Sequence, residues 1–275
     1  MARLTAAAGA AGTVAVEQGR VTGYLLGTPR ATSPWGPNIW VEAAGHAANE
    51  PETVRDLYAA CAGGWAERGL TAHYALVPVT DPAFIHAWFR LSFGAQHVHA
   101  LRAPGAGGQS DPRLRDAIAE DAEALALLDP LVALHQQAAP VFSSLAPQDH
   151  KTNLADWVES LADADAKTFV AELDGRVVGC SHGCPVERSS AHSSLARPPR
   201  AGLLSWAVVE PDARGTGLGR ALGEAVLRWS AERGDAATVT DWRVTNLLAS
   251  RTWPALGFRP TFLRLHRLVA ARASA

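Results

Sequence analysis

The hydrophobic pattern in the second half of the chain alternates between strand and helix periods. Residues 168–173 alternate apolar and polar side chains, and Asp174-Gly175 after them is a hairpin turn signal. Residues 203–209 are almost continuously apolar, as in a buried strand, whereas 219–233 carry apolar side chains at helical spacing. The pattern predicts strands over 168–173, 176–185, 203–209, 237–244 and 258–268, with helices over 219–233 and 246–256. This order predicts an α/β fold (α+β with a mixed sheet).

The two halves of the chain repeat one another. The tetrapeptide at 66–69 recurs at 231–234, 165 residues later, and the same offset holds without a gap over 55–102. An upstream block at 19–23 matches 175–179 at an offset of 156. Other residues paired at the longer offset are Arg55 with Arg220, Trp88 with Trp253, and Phe93 with Phe258. Internal repetition of this kind predicts two copies of one structural unit.

Domain boundaries follow from the repeat. We predict a truncated, degenerate first domain over 1–103, a Gly/Pro-rich linker over 104–112, and a complete second domain over 113–275. Residues 114–157 carry apolar side chains at helical spacing and are expected to open the second copy. The first copy has nothing comparable before Val14.

Composition excludes several partner classes. The net charge of −2 and the presence of only two lysines argue against nucleic-acid binding and against a Lys-rich membrane tether. No run of 18 apolar residues is present, so we expect no membrane partner. Three cysteines are too few for a disulfide framework and favour a cytoplasmic location. The alanine-rich start is expected to be a frayed terminus and not a signal peptide.

A glycine-rich turn carries the candidate chemistry. Residues 214–220 read Arg-Gly-Thr-Gly-Leu-Gly-Arg and lie between a predicted strand and a predicted helix. Glycines let the backbone approach a ligand closely, and the N–H groups of a first helical turn favour an anion such as a diphosphate. Dinucleotide folds and P-loops use similar turns. The absence of Gly-Lys-Ser/Thr argues against a P-loop, and the late position of the strand argues against a dinucleotide domain.

Two spaced motifs carry a family resemblance. Arg214-x-x-Gly217-x-Gly219 after an apolar strand resembles the acyl-CoA motif of the GCN5-related N-acetyltransferase (GNAT) family. Residues 246–258, with Asn246, Ala249, Trp253 and Gly257-Phe258, resemble its second signature, in which the middle aromatic residue is usually Tyr. The resemblance implies two tandem GNAT-like acyl-CoA N-acyltransferase domains, with acetyl-CoA held between two splayed strands. The implied cofactor-binding residues are Val208, Val209, Arg214, Gly215, Thr216, Gly217, Leu218, Gly219, Arg220, Asn246 and Trp253.

The first copy departs from this motif. Residues 49–54 stand at the positions of 214–219 and read Asn-Glu-Pro-Glu-Thr-Val, without glycine. Pro51 removes one amide, and Glu50 and Glu52 would repel a diphosphate. Asp81 stands in place of Asn246. We predict that the first copy does not bind CoA, and that it is structural or forms a wall of the acceptor pocket.

Acetyl transfer to an amine requires a group that accepts a proton. Asp241 and His182 are the candidate bases. Asp241 lies on the strand just before Asn246, a place that can line the cleft, but it also suits a salt bridge with Arg243. His182 alternates with Cys180 and Cys184 on one strand face, which is too tightly spaced for a usual zinc site, so no metal is predicted. Trp253 is not a usable acid, so the thiolate leaves unaided or another group supplies its proton.

Two functions remain open at this point. The first is an N-acetyltransferase that moves the acetyl group of acetyl-CoA directly to an amine of a small-molecule or peptide acceptor, in the second domain only. The second is a non-catalytic acyl-CoA sensor or binding module, favoured by the missing Tyr and the lack of a clear base. A scaffold that binds no CoA is disfavoured by the intact motif at 214–219.

Overall fold

A computed structural model describes residues 9–33, 35–103, 110–192, 195 and 197–270. Most of the predicted linker and the alanine-rich start lie outside the described residues. The described residues form two compact units. One unit is drawn from Met1–His99 with Pro260–Ala275, and the other from Ala100–Arg259.

Strands and helices alternate along both units. In chain order the strands are β1 (Ala11–Glu17), β2 (Arg20–Arg30), β3 (Asn38–Val41), β4 (His46–Ala48), β5 (Ala72–Pro78), β6 (Gly94–Arg102), β7 (Leu114–Asp116), β8 (Lys167–Leu173), β9 (Arg176–Pro185), β10 (Ala201–Val209), β11 (Ala237–Arg243) and β12 (Arg259–Leu268). The helices are α1 (Thr53–Glu67), α2 (Pro82–Phe89), α3 (Ala122–Leu128), α4 (Pro130–Gln137), α5 (His150–Ala162), α6 (Leu218–Glu232) and α7 (Leu247–Ala255). The prediction of an α/β fold with a mixed sheet is confirmed.

The first unit is a mixed sheet covered by two helices. Strands β1, β2 and β3 pair antiparallel in that order, β3 pairs parallel with β5, and β5 pairs antiparallel with β12. The short β4 pairs with β2. Helices α1 and α2 bury their apolar faces against one side of this sheet. The fully buried members of this core include Leu25, Ile39, Val77, Trp88 and Leu265.

The second unit begins with an antiparallel meander. Strands β7, β8, β9 and β10 pair antiparallel in order, and β10 then pairs parallel with β11. Asp174 and Gly175 have φ angles of +53° and +74°, as the predicted tight hairpin between β8 and β9 requires. One core cluster includes residues of α3, α5, β9 and β10, and a second includes residues of α6, β8 and β9. The sheet is therefore covered by helices on both faces.

The observed elements repeat at the offsets found in the sequence. Helix α1 and helix α6 begin and end 165 residues apart, and so do β5 and β11. Strands β1 and β8 are related by 156 residues. The compact units do not coincide with the two copies of the repeat. Strand β12 is the last element of the second copy, but it pairs with β5 and belongs to the first compact unit. The boundaries at 103 and 113 therefore describe the repeat and remain a prediction.

The segment that opens the second copy is more varied than its apolar pattern indicated. It begins with the short strand β7 and continues through helices α3, α4 and α5. Within the described residues, no helix is both long enough and apolar enough to cross a membrane.

Candidate active site

A cleft opens where two parallel strands separate. Strands β10 and β11 pair at only three positions, from Ala201 with Ala237 to Leu203 with Val239. Strand β10 continues to Val209 beyond its last partner on β11, after a register irregularity between Leu204 and Trp206. At the point of separation, the Thr240 hydroxyl donates a 2.9 Å hydrogen bond to the Leu204 carbonyl. The cleft is thus a consequence of strand register.

Along β10, the backbone N–H and C=O groups of successive residues point alternately towards β9 and towards this opening. Val208 pairs with Cys180 on β9, and its carbonyl oxygen lies 2.8 Å from where a Cβ on Gly179 would stand. Its peptide groups are therefore directed towards β9, whereas those of Ala207 and Val209 are directed to the open side. The Val209 carbonyl accepts a 3.1 Å hydrogen bond from Nε of Arg214. Sequence reasoning named Val208 and Val209 but missed Ala207.

The glycine-rich loop has the backbone that only glycine adopts easily. Gly215 and Gly217 have φ angles of +79° and +88°, and Gly217 is the N-cap of α6. The Thr216 hydroxyl donates to the Ala213 carbonyl at 2.7 Å. At Gly219 a Cβ would meet only Val209 Cγ2, at 3.9 Å. The start of α6 is therefore open to a ligand, and its unsatisfied N–H groups favour an anion.

A cavity of about 410 Å³ joins the splayed strands, the glycine-rich loop and α7. Thr216 and Leu218 do not line it: the Thr216 hydroxyl is bonded to the loop, and Leu218 is 1% exposed. The predicted residues on its wall are Val208, Val209, Arg214, Gly215, Gly217, Gly219, Arg220, Asn246 and Trp253. The wall residues that were not predicted as cofactor-binding are Leu131, Val132, His135, Ala207, Ala213, Leu248, Ala249, Arg251 and Thr252.

Arg113, which lies outside the motif, contacts the glycine-rich loop. Arg113 donates a 3.2 Å hydrogen bond from Nη1 to the Thr216 carbonyl. Asp111 holds this guanidinium through bonds of 2.9 Å and 2.6 Å, and the same contact lowers the pKa of Asp111 to about 2. Asp111 lies in the stretch predicted as linker, and the sequence offered no signal that it and Arg113 meet the loop.

Asn246 lies at the junction of β11 and α7. Its Oδ1 accepts a 3.2 Å hydrogen bond from the backbone N–H of Ala249, which caps α7. The same oxygen lies 3.4 Å from Nε2 of His135, on α4. Trp253 is 9% exposed and packs edge-on against Phe258, with ring centroids 6.4 Å apart. A histidine in an otherwise apolar helical run was the available signal for His135.

The two candidate bases lie away from the cavity wall. His182 is on β9, on the opposite side of β10 from the cleft, where its Nδ1 is 2.9 Å from the Thr168 hydroxyl. Burial lowers the pKa of His182. Asp241 lies on β11 and interacts electrostatically with His192. Burial lowers the pKa of His192, and the charge of Asp241 partly offsets this by raising it. The structure thus does not bring either candidate base to the cavity that holds the other predicted residues.

The alternating thiols beside His182 are buried. Burial raises the pKa of both Cys180 and Cys184, so neither favours the thiolate. Among the described residues, no group of three or more His, Cys, Asp or Glu side chains is arranged to hold a metal ion.

In the first unit, Glu52 and His46 are held by protein partners. Glu52 stands at the start of α1, where it pairs with Arg55 and, at 3.0 Å, with Arg90. His46 Nε2 lies 2.8 Å from the Leu76 carbonyl on β5. Its ring stacks on Phe84 at 5.3 Å. Burial lowers the pKa of His46 to about 4, so the ring is neutral.

Comparison with known proteins agrees with this geometry. The family model described as Acetyltransferase (GNAT) family matches residues 131–258. The chain is 32% identical over 109 residues to the aminoglycoside N(6')-acetyltransferase type 1 of Stenotrophomonas maltophilia, a match of 39% of this chain and 69% of that protein. It is 37% identical over 105 residues to the mycothiol acetyltransferase of Acidothermus cellulolyticus, a match of 37% of this chain and 32% of that protein.

Solved structures resemble the chain over nearly its whole length. A GCN5-related N-acetyltransferase from Sphaerobacter thermophilus matches with a TM-score of 0.57 and 12% identity, over 94% of this chain and 80% of that one. A tandem GNAT protein from the clavulanic acid biosynthesis pathway matches with a TM-score of 0.50 and 17% identity, over 98% and 86%. Acetyl-CoA is the cosubstrate of this family. The glycine-rich loop, the splayed strands and the relatives together show that the chain belongs to the GNAT acetyltransferase family.

Proposed function

We propose that the chain is an acetyl-CoA-dependent N-acetyltransferase that transfers acetyl directly to a primary amine of a small molecule or peptide. The observation that carries the proposal is the cavity between β10, α6 and α7. It joins the left-handed glycine loop to a stretch of β10 whose peptide groups have no partner strand on β11. An extended thioester with a diphosphate at one end matches both features.

The diphosphate end of acetyl-CoA is expected at the start of α6. The unsatisfied N–H groups there and the helix dipole favour an anion. Arg214 and Arg220 also line the cavity and lie in or next to the glycine-rich loop, although Nε of Arg220 pairs with Glu224 at 3.0 Å. The pantetheine arm would then lie along the open side of β10, in reach of Asn246.

The reaction centre is expected beside Ala207 and Val209. Their N–H groups face the opening and would stabilise the oxyanion that forms when an amine attacks the thioester carbonyl. The new bond joins the amine nitrogen to the carbonyl carbon, and the carbon–sulfur bond breaks. Because a thiol has a pKa of about 8.5, the CoA thiolate leaves readily. The indole N–H of Trp253 can donate a hydrogen bond but not a proton.

The relatives favour a small-molecule acceptor. One is named an aminoglycoside acetyltransferase and another a mycothiol acetyltransferase. The matches span 69% and 32% of those proteins, so the acceptor of this chain is proposed only as a class.

A non-catalytic acyl-CoA-binding module is the second candidate. Two observations favour it: Trp253 replaces the usual Tyr, and His182 and Asp241 do not line the cavity. Such a module would bind acetyl-CoA tightly and release no CoA in the presence of amines.

Release of the CoA thiol from acetyl-CoA in the presence of amines tests the proposal. The panel is kanamycin, glucosamine, spermidine and a lysine-containing peptide, and we expect turnover with at least one. Gly219→Glu, which puts a carboxylate at the diphosphate site, should abolish it. Gly64→Glu, the same change on the exposed face of α1 where a Cβ has open space, should not. Acetyl-CoA binding without turnover would favour the binding module, and no binding would overturn both functions.

A further inference from the structure

One side chain on the cavity has a nitrogen that can act as a proton acceptor. The described residues that line the cavity include four titratable side chains, His135, Arg214, Arg220 and Arg251. A guanidinium stays protonated in proteins, whereas an imidazole gains and loses a proton near neutrality. A primary amine is mostly an ammonium ion at that pH and must lose a proton before it can attack a thioester.

The hydrogen bonds around His135 select its tautomer. The Asn246 oxygen is identified by the Ala249 N–H that it accepts at 3.2 Å, since the amide nitrogen cannot accept that bond. Nε2 of His135 lies 3.4 Å from the same oxygen. A lone pair on Nε2 would face the oxygen's lone pairs, so Nε2 carries the hydrogen in the neutral ring. Nδ1 is then the nitrogen with a free lone pair.

The position of His135 also suits a group that becomes positively charged. It lies in the last turn of α4, where the negative end of the helix dipole favours a cation. Nε2 still donates to Asn246 when the ring is protonated. Among the described residues, the other charged side chains that line the cavity are Arg214, Arg220 and Arg251, and Asp129 precedes α4.

We propose that His135 is the general base of this site, with Asn246 as its positioning residue. The proposal rests on the proposed acetyltransferase function. Nδ1 takes one proton from the acceptor ammonium, and the freed amine attacks the acetyl carbonyl carbon. The second amine proton passes to the departing thiolate sulfur when the carbon–sulfur bond breaks. The imidazolium then returns its proton to solvent, so the products are an amide, CoA thiol and one proton.

Steady-state kinetics of His135→Gln test the role directly. With the panel amine that has the highest kcat/KM, we expect a loss of roughly 10²- to 10⁴-fold, the usual contribution of general acid–base catalysis. Without the base the reaction depends on free amine, whose fraction rises with pH, so the deficit of the variant against the wild type should shrink as the pH rises, while the Kd for acetyl-CoA stays within twofold. His150→Gln, at a half-exposed histidine on α5 outside the cavity wall, should keep the wild-type pH profile.

The outcomes separate the two proposals. A wild-type chain that binds acetyl-CoA but turns over no amine removes the acetyltransferase function and the base with it. Wild-type turnover that persists within threefold in His135→Gln, with the pH profile unchanged, removes the base alone. Nitrogen-15 NMR gives a second reading: we expect the neutral His135 ring to carry its hydrogen on Nε2. A hydrogen on Nδ1 would contradict the positioning by Asn246.

Discussion

The two repeats of this chain share their elements but differ in the residues that precede one of their helices. Helix α1 in the first repeat and α6 in the second match end to end at the same offset. Only the second repeat has glycines at left-handed φ before this helix. The fold alone would therefore not produce the proposed acyl-CoA site, which depends on strand register and on a few local residues.

Strand register is the first difference. In the first repeat β3 pairs with β5 from Asn38 to Val41, and the strand ends at its last partner. In the second repeat β10 leaves β11 after Leu203 and runs on to Val209. When the strands are aligned by the 165-residue offset, the register of the β3–β5 pair differs by two residues from that of the β10–β11 pair. Strand β3 consequently has no stretch beyond its pairing with β5 that could hold a pantetheine arm.

His46 is the second difference. It bonds to the Leu76 carbonyl on β5 and contacts Phe84 and Trp88 on α2. Trp88 is the repeat counterpart of Trp253, which lines the cavity in the second unit. In the first unit the corresponding tryptophan thus meets a neutral, buried histidine.

Some signature positions are shared for structural reasons. Asp81 caps α2 by accepting from the Phe84 N–H at 3.0 Å, as Asn246 caps α7. Trp88 packs edge-on against Phe93 with a centroid distance of 4.8 Å, as Trp253 does against Phe258. These positions maintain the helix and its packing in both repeats, so their presence alone is weak evidence for CoA binding.

The largest expected effect comes from charging the start of α6. A carboxylate at position 219 would face the CoA diphosphate, and like charges brought together cost several kcal/mol. We expect Gly219→Glu to weaken acetyl-CoA binding by at least about a hundredfold, or about 2.7 kcal/mol. Quenching of tryptophan fluorescence by acetyl-CoA measures the affinity, because Trp253 lines the cavity. Equal loss in Gly64→Glu would show that the effect is not local.

Removing the ring of His46 is expected to be the next largest change. His46→Ala leaves a cavity beside Phe84 and Trp88 and an unpaired Leu76 carbonyl. We expect a loss of about 2–4 kcal/mol in unfolding free energy, measured by denaturant titration. His86→Ala, at an exposed position on α2, is the control and should stay near the wild-type value. An unchanged free energy of unfolding in His46→Ala would mean that the ring does not stabilise the first repeat.

Acid should weaken the first repeat through His46. Its pKa is about 4 in the folded chain against 6.5 for a free histidine, so between these values the unfolded chain binds more protons. Stability therefore falls as the pH drops from about 6.5 to about 4, by up to about 1.4 kcal/mol per pH unit for this group. His73, His182 and His192 also have lowered pKa values and add to the trend.

Replacing His46 separates its share of this pH dependence. His46→Gln keeps a donor for the Leu76 carbonyl and removes the titration. The fall in melting temperature between neutral pH and about pH 5 should be smaller in this variant than in the wild type. Identical pH dependence in the two chains would contradict the assignment.

The smallest expected effects come from the two helix caps. Asp81→Ala and Asn246→Ala each remove one cap, which is worth about 1 kcal/mol. We expect similar small drops in melting temperature, but only Asn246→Ala should also lower acetyl transfer, because only Asn246 contacts His135 and lines the cavity. An equal loss of activity in Asp81→Ala would break the distinction between the repeats.

The sequence predicted what depends on local pattern. Hydrophobic period and turn residues located β8, β9, α6 and the glycine loop to within about two residues. The repeat offset also anticipated the matching helices. These features are encoded by neighbours along the chain.

Features that depend on distant residues were not predicted. Arg113 meets the Thr216 carbonyl, and His135 meets Asn246, across more than a hundred residues of sequence. His182 and Asp241 have suitable chemistry, but strand order and side-chain direction place them away from the cavity wall. The pairing of β12 with β5 in the first unit was also beyond any local pattern.

Calorimetric titration with acetyl-CoA tests the contrast between the repeats most directly, because it counts sites per chain. Because only the second repeat carries the glycine-rich loop, we expect one site per chain, and that site should vanish in Gly219→Glu. Two sites, or one site that survives Gly219→Glu unchanged, would contradict the account.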